Sequence, residues 1–155
     1  MPLLEFLKPE AVLPALRAPG KKQVLQELAV QAGKHLPGLD EREIFETLLQ
    51  RERLGSTGIG EGVAIPHGKL PGLDHLFGLV ARLEKPVDFE ALDGQPVDIA
   101  FLLLAPEGAG ADHLKALARV ARVLREPGII DRMRAARDGD ALYALLTQAP
   151  APRAA

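Results

Sequence analysis

Apolar positions recur at helical spacing toward both ends of the chain and at strand spacing in its middle, the pattern of an α/β domain. After Pro19-Gly20, residues Val24, Leu25, Leu28, Ala29 and Ala32 mark one face of a helix, and Pro37-Gly38 stops the run. Asp40 and Glu43 form a capping-box pair ahead of Ile44, Phe45, Leu48 and Leu49, so a second helix is predicted to end near Gly55. Phe77, Leu79, Ala81 and Leu83 alternate with Gly78, Val80 and Arg82, which predicts a half-buried strand. Val97 to Ala105 is almost continuously apolar and predicts a central strand covered on both faces. Between them, Lys85-Pro86 and Asp93-Gly94 punctuate a connection with room for one short edge strand. From Asp112, read as a cap, His113, Leu117, Val120 and Leu124 share the face of a further helix that breaks at Pro127-Gly128. Two shorter helices are predicted over 129–136 and 140–147. The Ala- and Pro-rich stretch 149–155 reads as a disordered tail, leaving one domain over 1–148 with no internal repeat.

Composition narrows the chemistry. The 155 residues are 47% hydrophobic and 26% charged, an ordinary globular balance for a single domain. Cysteine is absent, which excludes disulfides, thiol nucleophiles and thiolate metal sites. A net charge of −2 removes the electrostatic case for a dedicated nucleic-acid binder. The longest apolar run, Ile99 to Ala105, is far below the ~20 residues that span a bilayer. Met1 to Lys8 carries no secretory pattern, so a soluble, cytoplasmic protein without membrane insertion is expected. Charge is nonetheless uneven: residues 84–112 hold seven carboxylates and one lysine, and residues 113–137 hold seven cations and two carboxylates. Lys115, Arg119 and Arg122 fall opposite the apolar face of their helix and read as a solvated surface or a face for an acidic partner.

The stretch Gly55 to Gly68 is the chemical focus. Gly55, Gly58, Gly60 and Gly62 are too dense for a helix and predict a loop feeding a short strand. Gly62 lies six positions before Gly68-Lys69, where a P-loop needs five, and Leu70 stands where that motif needs a hydroxyl. A dinucleotide fingerprint fails as well, because Val63 occupies its third glycine position. What remains is a glycine-rich turn whose backbone N–H groups can form an anion cradle.

Four histidines compete for a role. His35 ends a helix, where it meets the helix dipole, and His75 opens a strand without a partner in sequence. His67 follows Pro66, which biases Ile65 toward an extended conformation, and precedes Gly68, which leaves room beside the imidazole. That placement suits a nucleophile, and equally a histidine in a surface turn. His113 falls on the apolar side of its helix, facing the sheet. Arg51 continues the row of Ile44 and Leu48 and is the candidate cation, while Arg53 turns toward the polar side. The pair His67 and His113 lacks a third ligand at metal spacing, and no metal or cofactor is expected.

The run Arg51-Glu-Arg-Leu-Gly-Ser-Thr-Gly-Ile-Gly-Glu-Gly-Val-Ala-Ile-Pro-His67-Gly-Lys69 resembles the active-site segment of enzyme IIA of the bacterial phosphoenolpyruvate phosphotransferase system, in its fructose/mannitol class and most similar to the nitrogen-regulatory branch. The likeness extends to Gly94-Gln-Pro-Val-Asp98 and to Asp112-His-Leu114. The resemblance implies a mixed β-sheet with helices on both faces, a phosphoryl-accepting histidine at His67, a second site histidine at His113 and a site arginine at Arg51. Lys69 and the N–H groups near Gly68 are further candidates for holding the phosphoryl group. It also implies an HPr-like phosphocarrier as donor and a regulatory protein target downstream. Ile59, Ile65, Leu70 and Leu73 are candidate docking contacts or core. Rival readings are a free-standing IIA component for fructose or mannitol uptake with a IIB partner, a phosphorylation-gated binding module, and a nucleotide-binding enzyme.

Overall fold

The computed structural model describes residues 2–148. After a short 3-10 turn at Leu3–Glu5, the chain runs β1 (Leu7–Leu16), α1 (Lys21–His35), α2 (Glu41–Arg53), β2 (Gly58–Gly60), β3 (Val63–Ala64), β4 (His67–Leu70), β5 (Phe77–Val87), β6 (Val97–Pro106), α3 (Ala111–Leu124), α4 (Ile129–Ala135) and α5 (Gly139–Thr147). The six strands form one mixed sheet in the order β1-β5-β6-β3-β2, with β4 also paired to β6. β5 and β6 are antiparallel, whereas β1 pairs β5, and β3 and β4 pair β6, in parallel. β6 is the spine, because its run from Ile99 to Ala105 is fully buried at successive positions. Such a run requires cover on both faces, and helices supply it: α1 and α2 pack on each other and on β5 and β4, while α3 lies on β6 and α5 on β1. The architecture is the expected single α/β domain with a mixed sheet.

Several elements form for the reasons read from sequence. Asp40 caps α2 by accepting the Arg42 N–H at 3.0 Å, and Asp138 caps α5 by accepting the Ala141 N–H at 2.9 Å. α3 differs: it starts at Ala111 after Gly110, whose φ is +57°, so Asp112 lies inside the first turn and is not its cap. The strand expected to be half-buried, now β5, is buried on both faces from Phe77 to Ala81. No edge strand forms between 88 and 96; β5 instead continues to Val87 before an irregular loop. β1 was not anticipated. Its two prolines, Pro9 and Pro14, hide the alternation, and they are tolerated because β1 is a sheet edge that pairs on one side alone. The stretch 149–155 lies outside the described residues.

β3 and β4 are two halves of one line along β6, opposite Ile99–Ala100 and Leu103–Pro106, interrupted at Ile65-Pro66. Pro66 donates no N–H, but its carbonyl accepts the Leu103 N–H at 3.0 Å and keeps the line in register. His67 is the first residue after this break. At Gly68, next to it, α2 packs closely on the sheet: a Cβ there would lie 2.6 Å from the Thr47 methyl. The room that glycine leaves at 68 is therefore taken up by Thr47 of α2, on the face of β4 opposite to His67 and Lys69, and is not open space beside the imidazole.

Candidate active site

Three separate elements bring Arg51, His67 and His113 together. Arg51 lies in the last turn of α2, His67 opens β4, and His113 sits in the first turn of α3. The rings of His67 and His113 are 5.6 Å apart between centroids and meet edge to face at 65°. Arg51 donates through Nε to His67 Nε2 at 3.2 Å and through Nη1 to the Gly55 carbonyl at 2.9 Å.

His67 is fixed at its other nitrogen. Nδ1 lies 2.8 Å from the Ile65 carbonyl, which only accepts, so Nδ1 carries the proton. Nε2 then bears the lone pair, and it is the nitrogen that Arg51 contacts. His113 is buried, and its Nε2 has no hydrogen-bond partner among the described residues.

Both histidines are pushed below the ordinary histidine value. For His67 burial is the main cause, opposed by the Ile65 hydrogen bond, then reinforced by the Arg51 cation and opposed again by the Glu52 carboxylate. For His113 the causes are burial, then His67, then Lys69. Both are neutral at pH 7. Lys69 stands two residues beyond His67 on β4, hence on the same face of the sheet, and is exposed.

The remaining sequence candidates sort differently. The glycine-rich turn is not an open anion cradle: the Thr57 N–H goes to Glu52, the Gly58 N–H to Ser56 and the Glu61 N–H to Asp93. Ile65, Leu70 and Leu73 are buried core, and Ile59 is partly covered. The exposed apolar side chains near the site in sequence are Leu54, 85% exposed, and Leu114, 69% exposed. His35 packs on Phe77 with 5.9 Å between ring centroids. His75 precedes β5 and binds the Asp74 carboxylate through Nδ1 at 2.6 Å. A cleft of about 690 Å³ lined by Glu61, Asp98, Glu126 and Arg134 contains none of the three site residues.

Sequence reasoning did not find Glu52 as a participant. It follows Arg51 in sequence, is 7% exposed, accepts from Thr57 and pairs with Lys21. Its signal was present as an acid inside the apolar arc of α2. Among the described residues, no group of three or more His, Cys, Asp or Glu side chains is arranged to hold a metal ion. No helix among them is long and apolar enough to cross a membrane.

The chain is 61% identical over 154 residues to a nitrogen regulatory protein of Bradyrhizobium diazoefficiens, covering 99% of this chain and 100% of the relative. It is 43% identical over 144 residues to a nitrogen regulatory protein of Pseudomonas aeruginosa, covering 93% and 94%. The crystal structure of nitrogen regulatory protein IIA-Ntr from Neisseria meningitidis superposes with a TM-score of 0.87 at 34% identity, covering 92% of this chain and 97% of that one. Residues 5–149 match the family model for the EIIA 2 component of the phosphoenolpyruvate-dependent sugar phosphotransferase system, and the chain belongs to that family.

Proposed function

We propose that the protein is a phosphoryl carrier that accepts a phosphoryl group on His67 from an HPr-like phosphocarrier and acts in regulation. The observation that carries this reading is the fixed tautomer of His67: Nδ1–H held by the Ile65 carbonyl and a bare Nε2 facing a guanidinium. The relatives named nitrogen regulatory protein, which align over nearly the whole of both chains, support the regulatory part.

The step balances without loss of a proton. The Nε2 lone pair attacks the phosphorus of a donor phosphohistidine; an N–P bond forms on His67 while the donor's N–P bond breaks and its electrons return to the donor imidazole. Nδ1 keeps its hydrogen and its bond to Ile65. Arg51 must leave the lone pair as phosphorus approaches, and its Nε–H is then free to bind a phosphoryl oxygen. A unit cation ~4 Å from the arriving charge contributes about 4 kcal/mol at an effective dielectric of 20, before desolvation costs. His113 can offer Nε2–H to a second oxygen in the tautomer that protonates that atom. Phosphorylation adds about −1.5 to −2 charges at one point of a nearly neutral surface, a change that a regulatory partner can read. The exposed Leu54 and Leu114 are apolar contacts for a docking protein.

The test is to incubate the protein with phosphoenolpyruvate, enzyme I and phosphocarrier, then measure its intact mass. One acid-labile phosphoryl group in wild type and none in His67→Ala is the expected result. No uptake, or uptake unchanged in His67→Ala, overturns the proposal. A wild-type protein that discharges to an added IIB component would favour the sugar-uptake reading over the regulatory one.

A further inference from the structure

We propose that Glu52, a buried carboxylate outside the three-residue site, is a positioning residue that clamps the α2–β2 turn and thereby aims both hydrogen-bond partners of His67. The inference rests on His67 being the phosphoryl acceptor and adds a residue to that site.

Glu52 is the penultimate residue of α2, and its side chain is 3% exposed. Lys21, at the start of α1, places Nζ 3.0 Å from Oε1 and also lies 3.6 Å from the Glu90 carboxylate. The Thr57 N–H donates to Oε1 at 3.0 Å and the Thr57 hydroxyl donates to Oε2. The carboxylate is thus saturated by donors from α1 and from the turn after α2, as a buried charge requires.

Two hydrogen-bond paths run from this clamp to His67. Along the first, the Thr57 carbonyl accepts the Ile65 N–H at 2.9 Å, and the Ile65 carbonyl accepts His67 Nδ1–H at 2.8 Å. Moving Thr57 moves the carbonyl that selects the tautomer. Along the second, the Glu52 carbonyl accepts the Gly55 N–H at 3.1 Å, and the Gly55 carbonyl accepts Arg51 Nη1–H at 2.9 Å. Moving the turn swings the guanidinium off Nε2. Gly55 has φ of +149°, so the turn follows a path that other residues rarely take, and bonds from Glu52 hold it at both ends. The same carboxylate opposes the Arg51 cation in the field at His67.

Glu52→Gln keeps the shape but removes the charge that Lys21 pairs with, and its N–H₂ in the place of Oε2 forces the Thr57 hydroxyl to turn from donor to acceptor. The tautomer is read from the ¹⁵N shifts of His67 in unphosphorylated, ¹⁵N-histidine-labelled protein, and transfer is read as kcat and KM for the phosphorylated phosphocarrier. We expect Glu52→Gln to mix the two His67 tautomers and to lower kcat by about tenfold or more with KM within about twofold, as sub-ångström misplacement of reacting groups does. Thr57→Val, which keeps the carboxylate and the backbone bonds, is expected to shift the tautomer the same way with a loss of about threefold. A folded Glu52→Gln protein with the wild-type tautomer and kcat overturns the proposal. Should Glu52→Gln fail to fold, wild-type behaviour of Thr57→Val overturns it instead. Because the tautomer is measured without phosphorylation, it tests Glu52 even if no phosphoryl group is ever taken up, an outcome that would overturn the acceptor role of His67 instead.

Discussion

Replacing Gly68 by alanine should couple packing to the site in a measurable way. The added methyl would lie 2.6 Å from Thr47 Cγ2, where ordinary contact begins at 3.4 Å, and 3.8 Å from Thr47 Cβ. Gly68 is buried in β4, whose register with β6 is fixed from His67 to Leu70, so the strand cannot retreat. Relief must come from Thr47, a β-branched residue with few helical rotamers, or from α2 as a body. Overpacking of this kind costs roughly 1–3 kcal/mol, or about 2–4 °C of melting temperature per kcal/mol in a domain of this size. Arg51 is one helical turn beyond Thr47, so displacing α2 also lengthens its 3.2 Å bond to His67. Urea unfolding of Gly68→Ala, Thr47→Ser and the double variant measures the clash as a coupling energy. Removing the Thr47 methyl should recover about 1 kcal/mol or more of the Gly68→Ala loss. Wild-type stability in Gly68→Ala, or strictly additive losses in the double variant, would refute the close approach of α2 to β4.

Other outcomes follow from the same geometry. Arg82 donates to the carbonyls of Pro14 at 2.9 Å, Met133 at 2.9 Å and Ala136 at 2.7 Å, tying β1 to the end of α4. Arg82→Met should therefore cost roughly 2–4 kcal/mol in urea unfolding while leaving phosphoryl uptake at 20 °C within about twofold. Burial holds His67 and His113 below the ordinary histidine value of about 6.5. The unfolded chain then takes up protons first, so the protein should lose stability as pH falls below about 6.5, and a His67→Gln/His113→Gln variant should lose less between pH 7.5 and 5.5; an unchanged slope would refute the shift. His113→Gln alone should slow phosphoryl transfer by about tenfold or more, since one donor to the developing charge is altered, and stopped-flow transfer kinetics would show it.

How much of this was legible in sequence depended on whether a residue's neighbours lie close along the chain. α2 was readable because Asp40 caps it locally and its apolar row repeats at helical spacing. β6 was readable because burial on both faces leaves an unbroken apolar run. β1 was hidden because Pro9 and Pro14 are acceptable only at a sheet edge, and edges are defined by tertiary pairing. Arg51, His67 and His113 were each singled out locally, and the fold places them in contact from three elements. Gly68 and Glu52 show what local reading misses. The reason for glycine at 68 is Thr47 on another element, and the reason for an acid in the apolar arc of α2 is Lys21 and Thr57 on either side of it.

Long-range ¹H–¹⁵N correlation of ¹⁵N-histidine-labelled protein, recorded after phosphorylation by phosphoenolpyruvate, enzyme I and phosphocarrier, identifies the nitrogen atom that carries phosphorus. Phosphorus is expected on His67 Nε2, with Nδ1 still protonated against the Ile65 carbonyl. Phosphorus on Nδ1 of His67, or on His113, would contradict it.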